Sequence, residues 1–277
     1  MRTKAGLAAL LLTSCSGEAA EPVLEACEQD LADTKIGLVA KIRVDGHPRT
    51  VLLDTGINGL VVSDQDFLAP PAETHEGEAL QQTVLPRTVT LQGCPSEIEV
   101  PAISSRKMPD GMLASSNALM NPDVLARGHL VTLKIGEKKL SIQPLERGTE
   151  SCAAHREDPS HIPVMDRYTM RVEDHQGVMH TAILDTGTGV SVFRTELLDP
   201  TAPKIRSGKL LTLSGIVDAD LYGGQKVVLG GKHALEADVL IADVPFPSDI
   251  GGFVGLNMLG ACDVAFCGDA TWLACEG

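Results

Sequence analysis

Two stretches of the chain end in the same three residues: Thr50-Val51-Leu52-Leu53-Asp54-Thr55-Gly56 and Thr181-Ala182-Ile183-Leu184-Asp185-Thr186-Gly187. Their aspartates lie 131 residues apart. An alternating apolar stretch and a turn precede each copy, the turns falling at Asp45-Gly46 and near His175-Gln176-Gly177. A second apolar run follows each, Leu60-Val61-Val62 and Val190-Ser191-Val192. The halves also end alike. Gly111-Met112-Leu113-Ala114 precedes a short helix-like piece to Leu119 and then strands near 131–135 and 140–142. Gly252-Phe253-Val254-Gly255 precedes a similar piece to Leu259 and strands near 264–266 and 272–274. Such self-similarity at long period marks a duplicated structural unit.

The remaining sequence supports strands. Short β-branched runs at 88–91, 97–103, 209–213, 226–229 and 239–244 alternate with Gly, Pro, Asp and Asn, and no long 3.6-residue period competes. The reading is two β-rich halves, residues 36–145 and 164–277, joined by a polar linker at 146–163 that contains Cys152, Pro159 and Pro163.

One Asp-Thr-Gly arises by chance in about one of 15 chains this size at average residue usage. Two, each closing an apolar strand, do not. Chemistry explains a pair: two carboxyls sharing one proton can activate water with one member and protonate a substrate carbonyl with the other. The glycine allows a tight turn and lets main-chain N–H groups reach the carboxylate. The threonine hydroxyl is placed to hydrogen-bond across the axis relating the loops.

This pattern, apolar–apolar–Asp-Thr-Gly with a later apolar–apolar–Gly in the same half, resembles pepsins and retropepsins, over roughly residues 36 to 275. The flanking sequences look closer to bacterial retropepsin-like proteins than to eukaryotic pepsins. The resemblance implies a mostly β, two-lobed pepsin-like (acid protease) fold with pseudo-twofold symmetry. It also implies an aspartic endopeptidase acting as a monomer on an extended peptide or protein substrate, with no cofactor or metal. Asp54 and Asp185 are then the catalytic pair, supported by Thr55, Gly56, Thr186, Gly187 and Thr188. Two departures fall in the first half. Ile57 stands where the family carries Ser, Thr or Ala, and Ala114 where it carries Gly. They favour the alternative, a catalytically weak or inactive lipoprotein of this fold that binds peptides or proteins. Flaps are expected near 83–100 and 213–224, with Tyr222 the only flap aromatic.

The N-terminus predicts export. Arg2 and Lys4 precede an apolar run from Ala5 to Leu12, far short of the roughly 20 residues that span a bilayer as a helix. Leu12-Thr13-Ser14-Cys15 resembles a bacterial lipobox: residues 1–14 are expected to be a signal peptide and Cys15 the lipidated residue. A tether over 15–35 would then hold the protein to a membrane facing the periplasm or the cell exterior. Six further cysteines, at 27, 94, 152, 262, 267 and 275, point to disulfides in an exported chain, Cys267–Cys275 across a hairpin being one guess.

Other chemistries find little footing. A formal charge of −14 argues against nucleic acid as a partner. No Gly-x-Ser-x-Gly elbow occurs. Cys152 with His155 and His161 lacks a second cysteine pair for zinc, and His175 and His180 lie at a turn rather than on a helix face. Gly223-Gly224 and Gly230-Gly231 read as turns around a strand.

Overall fold

The computed structural model describes residues 26–34, 36–63, 83–94, 97–105, 117–145, 152, 158–165, 168–212, 215–242, 244 and 248–275. Strand dominates throughout. Cys27–Asp30 (β1) and Ala32–Asp33 (β2) precede the first lobe. Leu38–Val44 (β3) and His47–Leu53 (β4) form a hairpin through Asp45 and Gly46, both at positive φ (48° and 79°), the geometry that suits a two-residue hairpin turn. Leu60–Ser63 (β5), Thr83–Leu91 (β6), Glu97–Ser105 (β7) and Ala118–Met120 (β8) complete the lobe. The hydrogen-bonded order is β3-β4-β8-β5-β7-β6, and β6 pairs back onto β3 at Ile42↔Leu91. The six strands therefore close into a barrel, which removes the free edges an open sheet would expose. Within β3 the pattern is legible: Ile42 and Val44 are buried while Lys41 and Arg43 face solvent.

His129–Lys134 (β9), Lys139–Pro144 (β10) and Ile162–Val164 (β11) lead to the second lobe. That lobe holds Thr169–Glu173 (β12), Met179–Leu184 (β13), Val192–Phe193 (β14), Lys204–Thr212 (β15), Gly215–Leu229 (β16), His233–Ala242 (β17) and Ile250–Val254 (β18). Its order β12-β13-β18-β14-β17-β16 closes through Val172↔Leu229, so it repeats the first barrel strand for strand, with β15 added outside. Cys262–Cys267 (β19) and Ala270–Cys275 (β20) finish a third sheet, β1-β10-β9-β19-β20-β11, shared by both halves. One face of it gives Val131, Leu133, Val264, Phe266 and Leu273 to the main core. The other carries Leu130, Ala265 and Trp272 against Leu145 and Cys152.

Five expectations change. Residues 27–33, read as tether, are strands: Cys27, Gln29 and Leu31 alternate inward, and Glu28 is bonded to Lys139 at 2.6 Å and Lys134 at 3.1 Å. The linker likewise ends in a strand, since β11 pairs with β20. The 83–100 region is not a free flap, because β6 and β7 are barrel wall and their connection is tied to β1 by Cys27–Cys94. In the second half the 213–224 region does belong to a hairpin, β15–β16, whose tip at 213–214 lies outside the described residues. Tyr222, however, sits half-buried in the strand opposite Val239, and Gly223-Gly224 is a β-bulge rather than a turn.

The cysteines pair as Cys27–Cys94, Cys152–Cys267 and Cys262–Cys275. The hairpin turn lies where expected, but its register sets Cys267 opposite Ala270 and Cys262 opposite Cys275, which excludes Cys267–Cys275. Cys27–Cys94 closes a separation of 67 residues. Replacing both by serine should cost about 2–4 kcal/mol in urea unfolding; a loss under ~0.5 kcal/mol would show that the β1 pairing alone holds this strand. Among the described residues no helix is long and apolar enough to cross a membrane, and three disulfides are compatible with export. Cys15, the signal region and the start of the tether lie outside the described residues.

Candidate active site

In each barrel a late strand lies between the two strands that flank Asp-Thr-Gly. β8 runs parallel to β4 and antiparallel to β5; β18 does the same between β13 and β14. The loop must therefore cross over the end of that strand and is pinned there: Asp54 N–H donates to Met120 O at 2.9 Å and Asp185 N–H to Val254 O at 3.0 Å. A short helical turn follows each pinning strand, Pro122–Leu125 and Leu256–Leu259.

The two loops meet through their threonines, both buried. Thr55 Oγ1 donates to Leu184 O at 2.7 Å and Thr186 Oγ1 to Leu53 O at 3.0 Å. Each hydroxyl in turn accepts the other's main-chain N–H, at 3.2 and 3.1 Å. These four reciprocal bonds relate the loops by a local twofold and satisfy polar groups that burial would otherwise leave costly.

Asp54 and Asp185 converge on this axis. Gly56 N–H donates to Asp54 Oδ1 at 2.7 Å and Gly187 N–H to Asp185 Oδ1 at 2.9 Å, and the two carboxyls hydrogen-bond each other. Asp54 is buried, Asp185 half-buried, and Gly56 is exposed beside them, so the pair is open to solvent on one side. Burial raises both pKa values. For Asp185 the negative charge of Asp54 adds to burial and pushes it to about 7. For Asp54 the Gly56 N–H and the bond from Asp185 work against the rise. Both carboxyls are thus biased toward keeping a proton, and the pair titrates as one coupled unit in which ionising Asp185 beside a charged Asp54 is opposed.

The supporting residues divide. Thr55, Gly56, Thr186 and Gly187 all touch the pair or its frame. Thr188 meets the loop through main-chain atoms: its N–H donates to Asp185 O at 3.5 Å, while its hydroxyl donates to Val190 O at 3.2 Å. Ile57, its counterpart, packs its side chain against Val39, Leu52 and Leu119.

The residues matching Phe253-Val254-Gly255 are Leu119-Met120-Asn121, not Met112-Leu113-Ala114. Val61 pairs with Leu119 as Val192 pairs with Phe253, which fixes the correspondence, and residues 111–116 lie outside the described residues. Ala114 therefore does not stand at the position of the family's glycine, and Ala118 and Leu119, the end of the expected helix-like piece, are strand. Spacing held the signal: Asn121 follows Asp54 by 67 residues and Gly255 follows Asp185 by 70. Cys152 is bound to Cys267, and His180 bonds the Asp174 carboxylate at 2.8 Å. No cluster of three or more metal-binding side chains occurs among the described residues.

In comparisons with known proteins, no family model and no curated sequence matches the chain.

Proposed function

We propose that the chain is an aspartic endopeptidase of the pepsin/retropepsin type, exported and held to a membrane by a lipid on Cys15. The observation that carries this reading is the pair of Asp-Thr-Gly loops locked by reciprocal threonine bonds, with one carboxyl poised to keep a proton. Asp54 takes a proton from a water that attacks the scissile carbonyl carbon, while Asp185 gives its proton to the carbonyl oxygen. The neutral diol so formed collapses as Asp54 passes its proton to the leaving nitrogen and Asp185 recovers one from the diol. The carbonyl is never required to carry a full negative charge. The substrate lies extended between the lobes, held by main-chain hydrogen bonds.

Ile57 favours the second reading, a peptide-binding lipoprotein of this fold, because it offers Asp54 no side-chain donor. The readings separate in one assay: cleavage of a mixed peptide library between pH 3 and 7 by the parent, Asp54→Asn and Asp185→Asn. The peptidase predicts cleavage by the parent, inhibition by a statine-type transition-state analogue, and loss of about 10³-fold or more in each variant. A folded, disulfide-intact parent that binds peptides without cutting them would establish the binding module instead.

A further inference from the structure

Resting on the peptidase reading, we propose that Asn121 is a positioning residue for Asp54, its side-chain amide standing in for a main-chain N–H that the first lobe lacks.

The two lobes solve one problem differently. In the second, the carbonyl of Thr188, three residues beyond Asp185, accepts the N–H of Leu256 at 2.9 Å. The equivalent carbonyl in the first lobe is that of Ile57, and the residue equivalent to Leu256 is Pro122, which has no N–H. The bond comes from elsewhere: Asn121 Nδ2 donates to Ile57 O at 2.9 Å. Asn121 is fully buried. Its main-chain N–H also donates to Gly59 O at 2.9 Å, so it grips the loop on both sides of Asn58. Its Oδ1 accepts the N–H of Asp123 at 3.2 Å, capping the helical turn that Pro122 begins.

The second lobe has no room for such a side chain. A Cβ on Gly255 would come within 2.9 Å of both Thr188 Cγ2 and Thr188 O and within 3.0 Å of Ser191 N. The glycine goes with a following residue that carries an N–H, the asparagine with a following proline. Each lobe thus carries a matched pair, Gly255-Leu256 or Asn121-Pro122, and it is the pair that holds the loop bearing the aspartate.

A double substitution tests this in the full-length protein. Asn121→Gly removes the amide, leaving Ile57 O without a donor; adding Pro122→Leu restores a main-chain N–H at the right position. The single variant should lower kcat about 10- to 100-fold with KM within about threefold, and the double variant should recover most of that loss. A second readout needs no activity: the coupled titration of Asp54 and Asp185, followed by carboxyl-carbon NMR on selectively labelled aspartate. Asp123 and Tyr168, the titratable groups packed at Asn121, stay in every variant. The titration should shift in Asn121→Gly and return in the double variant. If Asn121→Gly loses thermal stability but keeps kcat and the titration of the parent, Asn121 is only a cap and the proposal falls. It also falls if Pro122→Leu fails to rescue a folded Asn121→Gly protein. A parent that cleaves nothing removes the peptidase reading, while the titration still decides what Asn121 does to the loop.

Discussion

Gly187→Ala is expected to cost at least about 10³-fold in peptide cleavage, more than any other change to the loops that keeps both carboxyls. The reason is space. A Cβ at Gly187 would stand 2.4 Å from Asp54 Cγ and 2.7 Å from both its oxygens, so the partner carboxyl must move out of the pair. Gly56 is the internal control: a Cβ there meets Asp54 Oδ1 at 3.0 Å and Asp185 Oδ1 at 3.5 Å, contacts that a shift of a few tenths of an ångström relieves. Gly56→Ala should therefore lose far less. Steady-state rates of the two variants, with circular dichroism to confirm folding, check the order. Equal losses would mean that the loops tolerate or reject a methyl group for reasons other than the closeness of Asp54.

Asp185→Asn should abolish cleavage yet make the protein more stable at neutral pH. The carboxyl of Asp185 is raised from 3.8 to about 7, because burial and the charge on Asp54 both oppose its ionisation. A group whose pKa rises on folding stabilises fully below its unfolded value and loses that stabilisation as pH climbs through its folded value. The parent therefore gives up stability between about pH 4 and pH 7, and an asparagine, which has nothing to ionise, does not. The difference should grow across that window in favour of the variant, to no more than about 4 kcal/mol. Urea unfolding of parent and variant at pH 4, 5.5, 7 and 8 reads it directly. A difference that stays flat across the four would show that Asp185 ionises as an ordinary aspartate. On the peptidase reading proposed above, the same ionisation should set the upper pH limb of cleavage near 7, since Asp185 must hold its proton to donate it.

What could be read from the amino acids alone was whatever is local. The strand–Asp-Thr-Gly–strand units, the Asp45-Gly46 hairpin and the paired C-terminal strands of each half are written in contiguous residues. The threonine exchange followed from having two copies of a loop with a hydroxyl beside the aspartate. Features that depend on register or on distant partners escaped. β1 is polar, and only its pairing with β10, more than a hundred residues on, makes it a strand. The partners of Cys262 and Cys267 hang on which residues oppose each other across one turn. Asn121 was missed because the eye seeks a small residue after two apolar ones, and Ala114 satisfies that pattern where Asn121 does not.

The shared sheet has a bearing on how the chain is made. Its central seam joins β9 to β19, Val264 facing Leu133 and Phe266 facing Val131. A polypeptide leaving a ribosome or a translocon completes the first barrel and the β9–β10 hairpin long before β19 exists. Throughout that interval β9 presents an unpaired row of peptide groups and an apolar flank, the kind of edge that recruits strands from other molecules. The final pairing is one of very high sequence separation, and such steps are slow. The period of greatest exposure to aggregation thus falls between synthesis of residue 134 and that of residue 262, and it ends only when the second half docks on the first.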